Sequence, residues 1–294
     1  MKTAPAFIEE FIMKIAIVTD TNSGFLAQEA AELGVFLLPM PFSIDGQLYL
    51  EGINLSAQDF YRLQEQGASI MTSQPSPDAV TSLWDELLAS HDAVIHIPMS
   101  SALSNSCSTA QALSAEYDGK VLVADLRRIS ITQKLAVMDA VKLVKQGLTA
   151  QQVVEKLEQN ALEASIYLVP STLSYLKKGG RITPTAAAIG TVLNIKPVLQ
   201  IQGGPVDSFK KVRGMRQAID TMLQAIEEDL NTRFAGKDAK ICIAYSGAPE
   251  VGEEWRQQVQ EYFPNQTVEC NALSLSIACH TSPGALGIGC ICSL

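Results

Sequence analysis

The sequence predicts a mixed α/β fold. An N-terminal Rossmann-like domain has a mostly parallel sheet and a small hairpin insertion, and a C-terminal α+β domain has two layers. In the first half of the chain, short apolar runs alternate with helical patterns, which is typical of a parallel sheet covered by helices. In the second half, strands follow one another before long helices begin. We therefore predict two domains, at residues 14–163 and 164–294.

The N-terminal domain is predicted from its alternating elements and from two local signals. The pair Asp45-Gly46 favours a tight hairpin turn, which adds an antiparallel excursion to the sheet. Ser56 has the residue type of a helix N-cap. The predicted strands lie at 15–19, 35–38, 93–97 and 121–124, and the predicted helices at 26–33, 56–66, 77–90, 105–116, 129–145 and 149–162.

In the C-terminal domain, the glycine-rich stretch at 202–205 predicts a hairpin between its two flanking strands. A small-residue segment at 186–193 is a predicted helix, which either packs closely on a sheet or leaves room for an apolar ligand. The predicted strands lie at 166–169, 195–201, 206–212, 239–244, 267–270 and 285–292, and the other predicted helices at 172–178, 215–230 and 250–262.

Composition excludes several classes of function. The net charge is −9 and no block of basic residues occurs, which argues against a nucleic-acid partner. No segment reaches the roughly 18 apolar residues of a membrane span. Glu9 and Glu10 interrupt the apolar part of the N-terminus, which is therefore a poor secretory signal, and we expect a cytoplasmic location.

The cysteines form no CxxC pair, so we interpret them as reduced core thiols. Cys290 and Cys292 have the spacing that places both sulfurs on one face of a strand. His280 alone is too little for a zinc site, and no metal is expected. The cysteines are Cys107, Cys242, Cys270, Cys279, Cys290 and Cys292.

Hydroxyl side chains cluster in two segments of the first half. One lies on a proline-rich loop, and the other directly follows the strand at 93–97, where a parallel sheet places its ligands. Hydroxyls and free N–H groups at a helix start are suited to a carboxylate. Ser104 is the strongest candidate because it precedes a helix, although a serine that only caps the helix would look the same. The candidates are Thr72, Ser73, Ser100, Ser101 and Ser104.

Two histidines have different surroundings. His96 lies within a predicted strand and is expected in the core, whereas His280 precedes the turn Pro283-Gly284 and is expected in a loop. An imidazole there either donates to a carboxylate or phosphate, or bonds only to backbone. An enzyme using Ser104 and His280, a serine hydrolase or a phosphotransferase, is the competing hypothesis. Against it, the sequence has neither a GxSxG elbow nor a P-loop.

The run from 174 to 183 places basic side chains beside Gly179-Gly180, where glycine can close a helix. Lys177, Lys178 and Arg181 either offset the helix dipole or form a binding surface.

These segments, together with His280-Thr281-Ser-Pro-Gly, LNIKPVLQIQGG at 193–204 and KVRG at 211–214, resemble the DegV family of fatty-acid-binding proteins from about Lys14 onward. The resemblance implies that the hydroxyls above, with His280 and Thr281, bind an acyl carboxylate. The chain departs from the family pattern at Asn105 and Ser282, where glycine is usual, and at Thr21, where serine is usual.

The resemblance further implies a carrier and not an enzyme. The protein would hold a long-chain fatty acid between its two domains, without a cofactor, and present it to a separate fatty-acid kinase that forms an acyl phosphate for phospholipid synthesis. The kinase would dock at Lys177, Lys178, Arg181, Lys211 and Arg213. A lipid-sensing regulator without kinase coupling is a further alternative, and transient membrane contact stays open.

Overall fold

The computed structural model describes residues 13–188 and 195–294. Its first half is built on a parallel sheet of four strands in the order β2-β1-β6-β7. In chain order the elements of this half are β1 (Ile15–Asp20), α1 (Ala27–Leu33), β2 (Val35–Leu38), β3 (Pro41–Ile44), β4 (Gln47–Leu50), α2 (Ala57–Glu65), β5 (Ile70–Thr72), α3 (Pro77–Leu88), β6 (Ala93–Ile97), α4 (Ser106–Ser114), β7 (Val121–Val123), α5 (Ile131–Lys145) and α6 (Ala150–Gln159).

Helices cover both faces of this sheet because its buried strands are apolar on both sides. Ala16 and Val18 of β1 pack towards α3 and α4, in a cluster that includes Trp84. Ile17, between them, faces the opposite layer, which is formed by α1, α5 and α6. The doubly covered parallel sheet confirms the predicted N-terminal fold class.

The insertion is a separate antiparallel sheet of three strands in the order β4-β3-β5. Its hairpin turn lies at Asp45 and Gly46, both with positive φ (49° and 82°), so this prediction is confirmed. Ser56 caps α2, as expected, by accepting from the Asp59 N–H. The third strand was not expected: Thr72 was predicted in a loop, but it ends β5 and pairs with Phe42.

The second half contains a six-stranded mixed sheet in the order β10-β9-β8-β13-β11-β12. β9 and β10 form the predicted hairpin, and β11 and β12 are the parallel pair. The elements are β8 (Ala164–Val169), α7 (Ser174–Gly179), α8 (Pro184–Ala187), β9 (Ile195–Ile201), β10 (Asp207–Arg213), α9 (Gly214–Asn231), β11 (Ala239–Tyr245), α10 (Pro249–Tyr262), β12 (Val268–Ala272), α11 (Leu275–Ala278) and β13 (Leu286–Cys292).

One face of the six-stranded sheet is covered by α9 and α10, which gives the two layers expected from the sequence. Cys290 and Cys292 both face this layer, and the six cysteines are unbonded thiols. The opposite face meets α5 of the first half through Cys242 and Ile291. The α/β and α+β fold class is therefore confirmed, while the division at residues 163 and 164 stays a prediction. The site lies between the two sheets.

Several predicted boundaries shift. The helix predicted at 105–116 is α4 followed by a short 3-10 turn at Ala115–Tyr117, and the helix at 172–178 is α7. Of the small-residue segment at 186–193, residues 189–193 lie outside the described residues. The short helix α11 was not predicted because four residues carry no helical period.

His96 is a core histidine, as expected. Its ring is 2% exposed, packs edge-on against Trp84, and has no hydrogen-bond partner among the described residues. Burial lowers its pKa to about 4. The ring is therefore held neutral inside the first half of the molecule.

The buried His96 ring predicts a loss of stability in mild acid. The unfolded chain binds a proton near pH 6.5 but the folded chain only near pH 4, so stability is complete above pH 6.5 and falls through this window. Between pH 8 and pH 5 the loss is about 2 kcal/mol. We expect His96→Phe to remove it, measured by urea unfolding at both pH values. Burial raises the pKa of the Asp20 carboxyl to about 6, so this group stabilises the folded protein as the pH falls, opposite to His96. Both proteins contain Asp20, so its contribution cancels when their pH dependences are compared. Equal pH slopes would contradict this account.

Candidate ligand-binding site

A cavity of about 1100 Å³, counting the space at its open mouth, lies between the two sheets. Its walls are mainly aliphatic. The first half contributes Met99 and Leu103 from the segment after β6, and the six-stranded sheet contributes Ile166, Leu168 and Ile201. A chamber of this kind suits a ligand that is largely apolar.

Hydroxyl groups and a histidine gather on this wall. Thr72, at the end of β5, places its Oγ1 2.9 Å from Nε2 of His280. Thr281 is 4% exposed, and its hydroxyl has no partner in the part of the chain that the structure describes. Ser73 and Ser104 also line the cavity. Five of the seven predicted ligand-binding residues are thus brought to one cavity.

The His280 ring is neutral. Burial, assisted by the positive charge of Arg181, lowers its pKa to about 4. Its Nδ1 is buried and has no partner among the described residues, so no carboxylate orients the ring as it would in a Ser-His-Asp triad. A neutral imidazole has one N–H, which can donate to an oxygen.

Gly179 and Gly180 serve different purposes. Gly180 closes α7 in the left-handed conformation (φ 66°), as predicted, and a Cβ atom there would meet nothing within 4 Å. Gly179 is instead the last residue of α7, and a Cβ at this position would overlap Nδ1 of His280 and lie 2.7 Å from its Cε1. The second glycine therefore shapes the helix end, whereas the first makes room for the imidazole.

Ser104 lies just before α4 but is not its N-cap. Asn105 holds that position without a side-chain bond, and Ser104 Oγ accepts from the Ser106 N–H at 3.2 Å. The helix therefore begins one residue later than predicted, and the alternative in which Ser104 is its N-cap does not hold. The hydroxyl proton of Ser104 is still available to a ligand, because the recorded bond uses only the oxygen.

Ser100 and Ser101 are not among the residues that line the cavity. Ser100 is buried, and its Oγ accepts from the Ala102 N–H. Ser101 donates to the Asp125 carboxylate at 2.5 Å. Both side chains stabilise the segment after β6, which the sequence could not distinguish from ligand contact.

Arg181 is exposed, as expected, but it has a second position that the sequence did not indicate. It lines the cavity and lies close enough to His280 to influence its pKa. Lys178, Lys211 and Arg213 are exposed, as is Lys177. Their role in docking stays a prediction.

Glu51, which the sequence did not single out, joins the three-stranded insertion to the cavity wall. Its carboxylate accepts from the hydroxyls of Thr21 (3.0 Å) and Ser276 (2.6 Å), and from the N–H groups of Leu275 and Ser276 at the start of α11. Burial raises the pKa of the Glu51 carboxyl, although the four hydrogen bonds act to lower it. α11 leads directly to His280, so Glu51 fixes the segment that carries the imidazole.

Among the described residues, no helix is long and apolar enough to cross a membrane, and no group of three or more metal-ligating side chains occurs. An apolar cavity with a hydroxyl and imidazole cluster on its wall is typical of the class of proteins that bind amphipathic molecules.

Comparison with known proteins agrees with this class. The DegV family model matches residues 14–292, and the chain belongs to the DegV family. A DegV domain-containing protein of Deinococcus radiodurans is 31% identical over 94% of this chain and 98% of its own length. A DegV domain-containing protein of Listeria innocua is 29% identical over 94% of this chain and 97% of its own length.

Solved structures show the same fold. A fatty-acid-binding DegV family protein from Thermus thermophilus superposes with a TM-score of 0.86, at 28% identity, over 95% of this chain and all of that one. DegV from Bacillus subtilis, a fatty-acid-binding protein, superposes with a TM-score of 0.84, at 25% identity, over 96% of this chain and all of that one.

Proposed function

We propose that this protein binds a long-chain fatty acid in the cavity, with the carboxylate at the hydroxyl and imidazole cluster, and presents it to a separate fatty-acid kinase. One observation carries the proposal: the hydrogen-bonded pair Thr72 and His280 lies on the wall of a cavity that is otherwise mainly aliphatic. The fatty-acid-binding relatives from Thermus and Bacillus support it.

The carboxylate would be held mainly by neutral donors. Thr281 and Ser104 each have a hydroxyl proton that is not used in a recorded bond, and Ser73 lies beside them on the wall. His280 adds its N–H, and Arg181 supplies positive charge. Ser100 and Ser101 would contribute by shaping the segment that carries Ser104. Hydrogen bonds to a charged group contribute about 1.5–3 kcal/mol each.

The acyl chain would occupy the aliphatic part of the chamber. Alternate residues of β13 that face it are glycines, Gly287 and Gly289, with Ala285 before them and Ala244 on the adjacent strand. Because these positions carry a hydrogen atom or a methyl group in place of a larger side chain, they leave space for a hydrocarbon chain. Each buried methylene contributes about 0.8 kcal/mol, so the tail supplies most of the affinity and the head group sets the orientation.

Presentation to a kinase is the part of the proposal that concerns a partner, and a sequence feature and a surface feature support it. Its sequence contains no P-loop, and we propose that a partner performs the phosphoryl transfer. Lys178, Lys211 and Arg213 are exposed basic residues, and Arg181 both lines the cavity and lies on the surface. We propose these, with Lys177, as the docking residues.

The first test is native mass spectrometry of the purified protein, followed by extraction and identification of the released molecule. We expect a stoichiometric long-chain fatty acid. A protein that is empty and takes up neither palmitate nor oleate would refute the proposal. Measurable turnover of ester or ATP by the pure chain would support the enzyme hypothesis with Ser104 and His280.

Gly287→Leu tests where the tail lies. A Cβ at Gly287 has its nearest neighbours at 3.7 Å, so it fits, and the rest of the leucine enters the chamber. We expect the bound population to shift to shorter chains. Gly204→Leu is the matched control, because a Cβ there meets nothing within 4 Å and Gly204 does not line the cavity. An unchanged chain-length profile in Gly287→Leu would place the tail elsewhere.

A further inference from the structure

One polar side chain on the cavity wall is not explained by carboxylate binding. Ser130 precedes α5, far in the chain from the carboxylate cluster, and it is not hydrogen-bonded to any member of that cluster. The Ser130 residue is 8% exposed, and its side chain does not cap α5 or bond to any other described residue. A hydroxyl group on a largely apolar wall that has no protein partner gains free energy when a ligand oxygen bonds to it.

The backbone at Ser130 strengthens this observation. Ser130 has φ 57° and ψ −142°, a conformation that costs free energy for any residue with a side chain and suits glycine. The chain nevertheless has serine there. Its carbonyl accepts from the N–H groups of Gln133 and Lys134, whereas its hydroxyl caps nothing.

Two further donors lie beside this hydroxyl. The N–H groups of Ile131 and Thr132 begin the 15-residue helix α5, and no acceptor for either occurs among the described residues. Both residues line the cavity. The first N–H groups of a helix have no partner inside it and carry partial positive charge, so they favour an oxygen atom.

Two neighbouring side chains at the start of α5 are already hydrogen-bonded to other groups. The Thr132 hydroxyl donates to the Ile129 carbonyl at 2.8 Å. The amide nitrogen of Gln133 donates to Oγ1 of Thr19, at 3.0 Å, and to the Ile97 carbonyl, whereas its Oε1 has no partner among the described residues. An unsubstituted hydrocarbon lying here would leave the Ser130 hydroxyl and the two N–H groups without an acceptor.

We propose that the start of α5 is a second polar subsite, at which Ser130 Oγ and the N–H groups of Ile131 and Thr132 bind an oxygen substituent on the acyl chain. The ligand class is then a hydroxy or oxo fatty acid. This inference rests on the proposed function, because it assumes that an acyl chain occupies the chamber.

The test compares the affinities of stearate and of a positional series of hydroxystearates for the purified, delipidated protein. We expect one hydroxystearate isomer to bind about tenfold more tightly than stearate, which corresponds to about 1.4 kcal/mol. Ser130→Gly and Ser130→Ala should each reduce this ratio towards one. The ratio is the readout, so a general change in affinity cancels.

The two variants separate the hydroxyl from the backbone. Glycine accepts φ 57° without strain, and alanine keeps the strain, but neither has a hydroxyl. Asp118→Gly is the control, because Asp118 also has positive φ (48°) and does not line the cavity. It should keep the wild-type ratio.

The outcomes are distinguishable. Stearate binding without preference for any hydroxystearate, or a preference that survives in both Ser130 variants, overturns this inference and leaves the proposed function standing. Failure of the wild-type protein to bind any of these acids overturns the proposed function itself.

Discussion

Gly179→Ala should weaken fatty-acid binding by about 10- to 100-fold, which is the loss of one or two hydrogen bonds to a charged group. The new methyl group would overlap the imidazole of His280, and because it is carried on the backbone of α7 the side chain of His280 has to give way. The ring must then rotate away, which breaks its 2.9 Å bond to Thr72. The dissociation constant for oleate, by calorimetry, measures the effect.

Gly180→Ala is the matched control for this substitution. A Cβ at position 180 meets nothing within 4 Å, but alanine is strained at φ 66°. We expect a stability loss of about 1–2 kcal/mol with binding retained. The two neighbouring glycines should therefore separate stability from binding. Equal affinity of Gly179→Ala and wild type would show that the placement of the His280 ring does not matter for the head group.

Glu51→Ala should lower the free energy of unfolding by about 3 kcal/mol or more. It removes one acceptor group from four hydrogen bonds and leaves the N–H groups of Leu275 and Ser276 without their partner. Each buried group left unsatisfied costs about 1–3 kcal/mol. Urea unfolding at neutral pH measures the change.

Two further variants give this experiment its controls. Glu51→Gln keeps the shape and one acceptor oxygen, so its loss should be smaller than that of alanine. Glu65→Ala removes an exposed carboxylate from the same insertion and should change stability by less than about 0.5 kcal/mol. If Glu51→Ala matches Glu65→Ala, the insertion is held to α11 by packing alone.

Local signals predicted the fold well. The hairpin at Asp45-Gly46, the N-cap at Ser56 and the hairpin across 202–205 each depend on neighbouring residues, and the structure contains all three. The third strand of the insertion was missed because three residues are too few to show an alternating pattern.

The site was harder to predict because its contacts join distant segments. Thr72 and Ser100 are both hydroxyl residues near strand ends, yet only Thr72 lines the cavity. The need for Gly179 depends on a ring about a hundred residues away along the chain, so its sequence context suggested only a helix end. Nothing in the sequence singled out Glu51, because its four donors come from other segments.

The pairing of β13 has a consequence for the order in which the molecule assembles. β13 lies between β8 and β11, and Leu286 pairs with Val169 across a long stretch of intervening chain. Such distant pairings slow folding, because the entropy of closing a long loop is lost before the contacts form. The parallel sheet of the first half can gather its strands from nearby segments, whereas the chamber has no glycine-lined wall until β13 inserts. We therefore expect the ligand to reach a folding chain late, and to speed completion of the six-stranded sheet only after that insertion.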